Sequence, residues 1–421
     1  MMKLKEITQV FDVSNVSEAY HGSIDITDLK DELGTKGHVL VVRGDKAYVD
    51  VLGDNAHLAN PKFWLYENLI NSPRVQEQLK GNPNHKLFDG VGFSSLEALG
   101  YHAKRLGRKA VVVMAHEHVP DDKVFERYDM EVIHGDKPAE EGYVEKQREV
   151  LSQRDDLIPL HQALYGAQAL APIGNAVANR LEELCIIPDE TFWSMASGSN
   201  LYGIGNKIKS RFHSKTVLVE PKKGRTVDPS LDLSNPEEVK SFAKRKLRDY
   251  SLDDWNRINP GIFPLHVKHP NRYLLINWLY KGYTGIDSTV GISSSEVNKI
   301  QKRLRRLSPE YDWTKTTALT MVPAIEAANR GKNVLVMSYG KNRENKSRDI
   351  TFIDQIPWIL RNETPFQKVA ASIMLAGYLA AASYASWDII FQNIPAFNGS
   401  AVVDKDEKTW VSRLADMDNL H

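Results

Sequence analysis

The sequence contains a single cysteine, Cys185, among its 421 residues. One cysteine cannot form an intrachain disulfide or a cysteine-based zinc cluster, which favours a reducing compartment and therefore a cytoplasmic protein. Its neighbours, Leu-Glu-Glu-Leu-Cys-Ile-Ile-Pro, are largely apolar. We therefore expect an inert thiol in the core rather than a reactive one.

The sequence also has no excess of charge, because 54 Lys and Arg residues balance 54 Asp and Glu residues. Such a balance does not indicate a nucleic-acid partner. The N-terminus, Met-Met-Lys-Leu-Lys-Glu-Ile-Thr, lacks the apolar stretch of a signal peptide. The uncharged stretch from Val369 to Trp387 is rich in Ala, Ser and Tyr, so we interpret it as a helix buried against protein rather than a membrane span.

Segments typical of strands and of helices alternate along the chain. Buried strands are indicated by the apolar runs Ala110 to Met114, Thr216 to Glu220 and Asn333 to Ser338. The alternation predicts an α/β fold with a largely parallel sheet, whose ligand site lies at the carboxyl ends of the strands. Two earlier β-rich runs, 38–42 and 47–52, predict a hairpin, and the composition of 142–184 is helical.

The segment from Phe192 to Gly205 predicts a strand, a tight turn of small residues and a helix. The first N–H groups of a helix lack intrahelical partners, so such a turn suits an anion, usually a phosphate. A dinucleotide is one candidate, since Glu220 ends the next strand where a ribose-binding acid is expected. The glycines that follow Gly198 are Gly203 and Gly205, however, so the G-x-G-x-x-G pattern is absent.

Lys62 follows Asn60 and Pro61, a residue that can cap a helix and one that suits the first helical position. This predicts that Lys62 lies in the first turn of a helix. The helix dipole disfavours a cation there and pushes the amine towards its neutral, nucleophilic form. A solvated surface lysine is the alternative that the local sequence leaves open.

Two further helix starts are indicated. Ser94 with Glu97 three residues later has the spacing of a capping box, which makes Gly90 to Ser95 a second anion site, for a phosphate or a substrate carboxylate. Ser293 with Glu296 repeats the spacing after the apolar run that ends at Ile292.

In the order of these motifs along the chain, the sequence resembles the pyridoxal-phosphate enzymes of the tryptophan-synthase β-subunit type. This group includes cysteine synthase, D-cysteine desulfhydrase and aminocyclopropane-carboxylate deaminase. Each motif is weak by itself, whereas the ordered set is fairly specific. The resemblance spans residues 38–340. The corresponding segments are Asn60-Pro61-Lys62, Val91 to Lys109, Ala196 to Asn200, Val219-Glu220-Pro221 and Gly291-Ile292-Ser293-Ser294.

The resemblance implies a role for each matching residue. Lys62 corresponds to the Schiff-base lysine, which later carries protons, and Ser293 or Ser294 to the hydroxyl that meets the pyridine nitrogen. The phosphate would be held by Ala196, Ser197, Gly198, Ser199 and Asn200. The substrate would be held by Gly92, Phe93, Ser94 and Ser95.

The resemblance also implies a two-lobed α/β fold of mostly parallel sheets flanked by helices, with a cofactor domain formed by 1–84 and 190–421 and a smaller mobile domain, 85–189, that closes over the substrate. The implied activity is pyridoxal-phosphate-dependent β-elimination or β-replacement on a small amino-acid-like substrate by a homodimer, with neither a metal nor a membrane partner. The sequence departs from the family pattern at Ser94, where relatives have Asn, and in having only one glycine, Gly198, in the phosphate-binding segment Ala196 to Asn200. Two alternatives stay open: an NAD(P)-dependent oxidoreductase that uses the 196–205 turn, and a binding or scaffold protein.

Overall fold

The computed structural model of the chain describes residues 24–115, 118–120, 122–135, 139–194, 197–222, 225–249, 285–309, 311, 313–340 and 346–347. The helix expected at Val369 to Trp387 lies outside these residues. No helix in the described part of the chain is both long enough and apolar enough to cross a membrane.

The described strands run in chain order as follows: β1 Ile26–Asp28, β2 Val39–Val42, β3 Lys86–Gly90, β4 Ala110–Met114, β5 His118–Val119, β6 Met130–His134, β7 Leu157–Pro159, β8 Glu190–Ser194, β9 Lys215–Pro221, β10 Ser288–Ile292, β11 Val334–Met337 and β12 Lys346–Ser347. The described helices are α1 Lys30–Leu33, α2 Val49–Leu52, α3 Lys62–Asn71, α4 Pro73–Gly81, α5 Phe93–Arg105, α6 Asp122–Arg127, α7 Ala139–Gln153, α8 Gln162–Glu183, α9 Asn206–Phe212, α10 Pro236–Asp249, α11 Ser294–Leu307 and α12 Lys315–Asn329.

The larger sheet has the strand order β1-β2-β11-β8-β9-β10. Its edge strand β1 is antiparallel to β2, and the remaining neighbours are parallel. Alternate residues of β2 enter two different apolar clusters: Leu40 and Val42 pack in one, Val39 and Val41 in the other. Both faces of the strand are therefore covered, which explains why it is a continuous apolar run.

The smaller sheet has the order β6-β4-β3-β7, and all of its neighbouring strands are parallel. Its central strand β4 is fully buried and begins and ends at the predicted residues, Ala110 and Met114. Strands β5 and β12 form a separate antiparallel pair. Parallel sheets with helices packed on them confirm the predicted α/β class.

Two local predictions are wrong. No hairpin joins 38–42 to 47–52, because β2 is already paired with β1 on one edge and β11 on the other. Instead, Tyr48 adopts a left-handed φ of 67° and the following residues form α2. The expected helix over 142–184 is interrupted by β7, a strand of three residues that is too short to show a period of two.

Cys185 is exposed rather than buried in the core. It lies just beyond α8 and has a left-handed φ of 55°. Ile187 in the same connection is 58% exposed. Of the apolar residues that suggested a core segment, Leu181 is buried in the last turns of α8, whereas Leu184, Ile186 and Ile187 belong to the connection between α8 and β8.

Candidate active site

Lys62 lies in the first turn of α3, as predicted, and is its first residue, because Pro61 takes the N-cap position rather than the first helical one. The Oδ1 atom of Asn60 accepts a hydrogen bond from the backbone N–H of Lys62 at 2.9 Å. The Nδ2 atom of Asn60 donates to the carbonyl oxygens of Leu58 at 2.8 Å and Ser94 at 3.4 Å. One buried side chain thus anchors the start of the lysine helix and ties it to the predicted substrate segment.

A close backbone contact holds the residues that lead into α3. Gly340 follows β11, and a Cβ at this position would overlap the carbonyl oxygen of Ala59. A larger residue at Gly340 would displace the chain just before Lys62. The C-terminal edge of the larger sheet therefore helps to set the position of the lysine helix.

The Lys62 side chain is half-buried, and its Nζ donates to Oε1 of Gln162 at 2.7 Å. Burial lowers the pKa of the amine from 10.5 to about 8, and the negative charge of Asp89 opposes part of this change. The prediction invoked the helix dipole, whereas burial is the main cause here. The neutral amine that attacks an aldehyde is therefore accessible near physiological pH.

Gln162 begins α8 and joins three parts of the site. Its Oε1 accepts from Lys62 and also from Oγ of Ser95, the latter at 3.1 Å. Its Nε2 donates to the carbonyl oxygen of Gly90 at 2.8 Å. Gln162 was not among the predicted site residues. No local motif singles it out, although the preceding His161 has an unusual left-handed φ of 54°.

Asp89, near the end of β3, is the second residue that the sequence analysis missed. Its side chain accepts hydrogen bonds from the Tyr66 hydroxyl and the backbone N–H of Gln162, both at 3.1 Å, and from the Gly90 N–H at 2.9 Å. Asp89 is only 3% exposed, and burial raises its pKa to about 7. Paired buried groups with perturbed pKa values are typical of functional sites.

The predicted substrate segment lies at the start of α5. The predicted capping box of Ser94 and Glu97 is wrong, because α5 already begins at Phe93 with Gly92 as its N-cap and has no side-chain cap. Glu97 is fully buried and bonds to Arg127 at 2.9 Å instead. The first-turn N–H groups of Phe93, Ser94 and Ser95 remain suited to an anion, and Ser95 reaches Lys62 through Gln162.

The predicted phosphate turn follows β8. Ala196 lies outside the described residues. Gly198 has a left-handed φ of 82°, and Ser199, 4% exposed, shares a hydrogen bond of 2.8 Å with the Ser197 hydroxyl. The chain then becomes helical at Ser199 and passes through the π-helical turn Leu201–Gly205 into α9. The predicted order of strand, small-residue turn and helix is confirmed.

Helix α8 links this turn to the lysine helix. A Cβ added to Gly166 of α8 would overlap the Ser199 hydroxyl and would lie 3.1 Å from Cδ1 of Leu65 on α3. Tyr339, which follows β11, lies beside the side chains of Ser194 and Asn200. The turn is therefore held between α8 and the end of β11.

The predicted serine turn follows β10. Ser293 is the N-cap of α11 and forms the expected capping box with Glu296. The Ser293 hydroxyl also shares a hydrogen bond of 3.0 Å with Ser295. Ser294 is exposed in the first turn of the helix and takes no part in the capping box. Of the two candidate serines, Ser293 is therefore the one that caps the helix.

The phosphate turn and the serine turn emerge from the same edge of the larger sheet. Their strands β8 and β10 are both parallel to β9, which lies between them. Neighbouring strands are about 4.8 Å apart, so the two turns are separated by about 10 Å across the sheet. Glu220 of β9 accepts hydrogen bonds from the backbone N–H groups of Thr226 at 2.9 Å and Val227 at 3.2 Å.

No known protein-family model and no curated protein matches the sequence. Solved structures do match the fold. A hydrogen sulfide-producing enzyme from Fusobacterium nucleatum superposes with a TM-score of 0.52 at 14% identity, covering 79% of this chain and 99% of that chain. O-ureido-L-serine synthase has a TM-score of 0.52 at 14% identity and coverages of 78% and 92%. O-acetylserine sulfhydrylase isoform 3 from Entamoeba histolytica has a TM-score of 0.50 at 13% identity, covering 78% of this chain and 88% of that chain.

The chain has the fold of the pyridoxal-phosphate enzymes of the tryptophan-synthase β type. The residues of the site also fit that cofactor. Lys62 provides an amine whose pKa is lowered to about 8, and the 197–200 turn provides small residues at a helix start. Among the described residues, no group of three or more His, Cys, Asp or Glu side chains is arranged to hold a metal ion.

Proposed function

We propose that the protein is a pyridoxal-phosphate-dependent enzyme that eliminates or replaces a group at the β-carbon of a small amino-acid-like substrate. The observation that carries this proposal is the Lys62 amine, whose pKa is lowered by burial and which contacts Gln162 beside the substrate segment. When bound, pyridoxal phosphate withdraws electrons from the α-carbon of an amino acid and makes its proton more acidic. Lys62 Nζ would bind the cofactor aldehyde and later accept that proton.

The cofactor would be held at two further points. Ser197, Gly198, Ser199 and Asn200, together with Ala196, would bind the phosphate through backbone N–H groups and hydroxyls. Ser294 would face the ring nitrogen, with Ser293 holding the helix start. A hydroxyl there leaves the nitrogen unprotonated, which suits elimination and replacement more than transamination.

The substrate would be oriented by the start of α5. The N–H groups of Phe93, Ser94 and Ser95 lie in its first turn, after Gly92, and suit a carboxylate. Asn60 contacts the Ser94 carbonyl and Gln162 contacts the Ser95 hydroxyl. These contacts support a substrate carboxylate bound close to the lysine amine.

The proposal includes the domain organisation. Residues 85–189 would form the smaller domain that closes over the substrate, and 1–84 with 190–421 the cofactor domain of a cytoplasmic homodimer. The positions of the sheets support this division, since the four strands of the smaller sheet, β3, β4, β6 and β7, all fall between 85 and 189. Closure would exclude water from the site.

The two alternatives have less support. For a nicotinamide dinucleotide, Glu220 would have to bind a ribose, but its carboxylate is already used by the backbone of the following loop. For a binding or scaffold protein, the motivation is Ser94 in place of the family asparagine. The lowered pKa of Lys62 favours a reactive amine over a purely structural site.

An absorbance spectrum tests the proposal. The purified protein, with or without added pyridoxal phosphate, should show a visible band that Lys62→Ala abolishes. Lys30→Ala is the matched control, because Lys30 is also a half-buried lysine at the first position of a helix. A colourless wild-type protein that takes up no pyridoxal phosphate would contradict the proposal.

Two other experiments test the alternatives. Protection against heat by NAD(P), with none by pyridoxal phosphate, would favour the oxidoreductase, and amino-acid turnover in a substrate screen would exclude the binding or scaffold protein.

A further inference from the structure

Asp89 receives hydrogen bonds from three directions although it lies in the interior. The donors are the Tyr66 hydroxyl of α3 at 3.1 Å, the Gln162 N–H of α8 at 3.1 Å and the neighbouring Gly90 N–H at 2.9 Å. A carboxylate is costly to bury unless it is well satisfied. The surrounding elements are therefore arranged around this one side chain.

Two of these donors lead directly to Lys62. Tyr66 lies four residues after Lys62 on α3, so both side chains project from the same face of the helix. Gln162 donates its backbone N–H to Asp89 and accepts the Lys62 ammonium on its Oε1 atom. Asp89 thus holds the lysine helix and the amide that contacts the amine.

The negative charge of Asp89 acts on two cations. It raises the pKa of Lys62, on α3, and that of Arg74, on α4, although burial lowers both pKa values overall. The Arg74 guanidinium donates hydrogen bonds to the carbonyl oxygens of Pro159 at 2.8 Å and Leu160 at 3.3 Å rather than to Asp89, and it lies over the Tyr165 ring. His161 faces Arg74, and burial keeps its pKa at about 4, so this imidazole is neutral near pH 7.

We propose that Asp89 is a positioning residue for the Lys62 amine, which it controls by anchoring Tyr66 and Gln162 and by supplying the negative charge that stabilises the ammonium form. The proposal rests on the assigned role of Lys62 as the reactive amine. In the proposed reaction, Nζ accepts a proton from the substrate α-carbon and must hold it until it is passed on. Above its own pKa of about 7, Asp89 carries a negative charge that acts on Lys62 and favours that protonated state.

Competitive labelling tests the proposal without any enzymatic turnover. The full-length protein, freed of bound pyridoxal phosphate, is labelled with an amine-reactive reagent across a pH series, and mass spectrometry follows the Lys62 peptide. In Asp89→Asn the labelling midpoint should move to lower pH, so that labelling at neutral pH rises several-fold. Glu67→Gln is the matched control, because it removes a negative charge from the same helix and should leave the midpoint unchanged.

Tyr66→Phe keeps the carboxylate but removes one of its donors, so it should shift the midpoint in the same direction by a smaller amount. If Asp89→Asn does not fold, the labelling midpoint of Tyr66→Phe alone tests whether Asp89 positions the Lys62 amine. A midpoint equal to wild type in the folded variants would overturn the proposal. Added pyridoxal phosphate gives a second readout: because more of the Lys62 amine is neutral in Asp89→Asn, the visible band should form faster at neutral pH than in the wild type. A labelling shift in a protein that never takes up pyridoxal phosphate would overturn the proposed function and leave the link between Asp89 and Lys62 intact.

Discussion

The Nζ atom of Lys62 lies 2.7 Å from Oε1 of Gln162, although the two residues are 100 positions apart in the chain. Each begins a helix, α3 and α8 respectively. The same Gln162 side chain bonds to Ser95 of the substrate segment and to Gly90 of β3. One amide therefore joins the candidate nucleophile to the element expected to bind the substrate.

Replacing Gln162 with leucine should slow the attachment of pyridoxal phosphate to Lys62. The change removes the acceptor that holds the amine, and misplacing a reacting group by about 1 Å can cost up to a hundredfold in rate. We expect the visible band to appear on the order of tenfold more slowly after mixing. Gln76→Leu is the control, because Gln76 is also half-buried and donates to a carbonyl, that of Ile70 at 2.9 Å. Equal rates in both variants would contradict the assigned role.

The same attachment rate should depend on pH through the Lys62 amine. Because the pKa of Lys62 is lowered from 10.5 to about 8, the neutral amine becomes the major form above pH 8. The rate of band formation should therefore rise as pH increases through about 8 and level off above it. Stopped-flow absorbance across this range gives the midpoint. A rate that is still rising steeply near pH 10.5 would show that the amine is not desolvated.

Alanine at Gly166 should damage the phosphate turn. Its Cβ would overlap the Ser199 hydroxyl and press on Leu65, and overpacking of this kind costs about 1–3 kcal/mol. We expect a lower melting temperature and weaker protection by added inorganic phosphate. Gly81→Ala is the control, since a Cβ there meets nothing within 4 Å. If Gly166→Ala melts and responds to phosphate as the wild type does, the turn is not held by α8 as described.

His102 should make the fold sensitive to acid. It is fully buried among the rings of Tyr48, Phe63 and Tyr101, with one ring nitrogen 2.9 Å from the Phe63 carbonyl. Burial lowers the pKa of His102 from 6.5 to about 3. Between these values the unfolded state binds a proton that the folded state does not, so stability falls as pH drops below 6.5.

Chemical denaturation at several pH values should show this effect as a difference between variants. His102→Gln cannot be protonated, so its free energy of unfolding should fall less than that of the wild type between pH 6.5 and about 4. The buried His161 has a pKa of about 4 and acts in the same direction, but it is present in both proteins and cancels in the comparison. Parallel pH dependences would contradict the assignment to His102.

Local sequence patterns predicted the elements whose signals are themselves local. The apolar run of β4 is long enough to show a buried strand, and Asn60-Pro61 is sufficient to mark the start of α3. Patterns failed where a distant partner changed the outcome. Ser94 does not cap α5, because the helix already begins at Phe93, and Glu97 bonds instead to Arg127 thirty residues further along the chain.

The sequence by itself determined the α/β class, the position of Lys62 in the first turn of a helix, and the order of the small-residue turns, since each depends on spacing and on backbone preferences within a few residues. Only the tertiary structure brought Asp89 and Gln162 to the lysine. Their contacts cross from the end of β3 and the start of α8 to α3, and burial shifts the pKa values of Asp89 and Lys62. Desolvation depends on the packing of distant segments, which no short stretch of sequence contains.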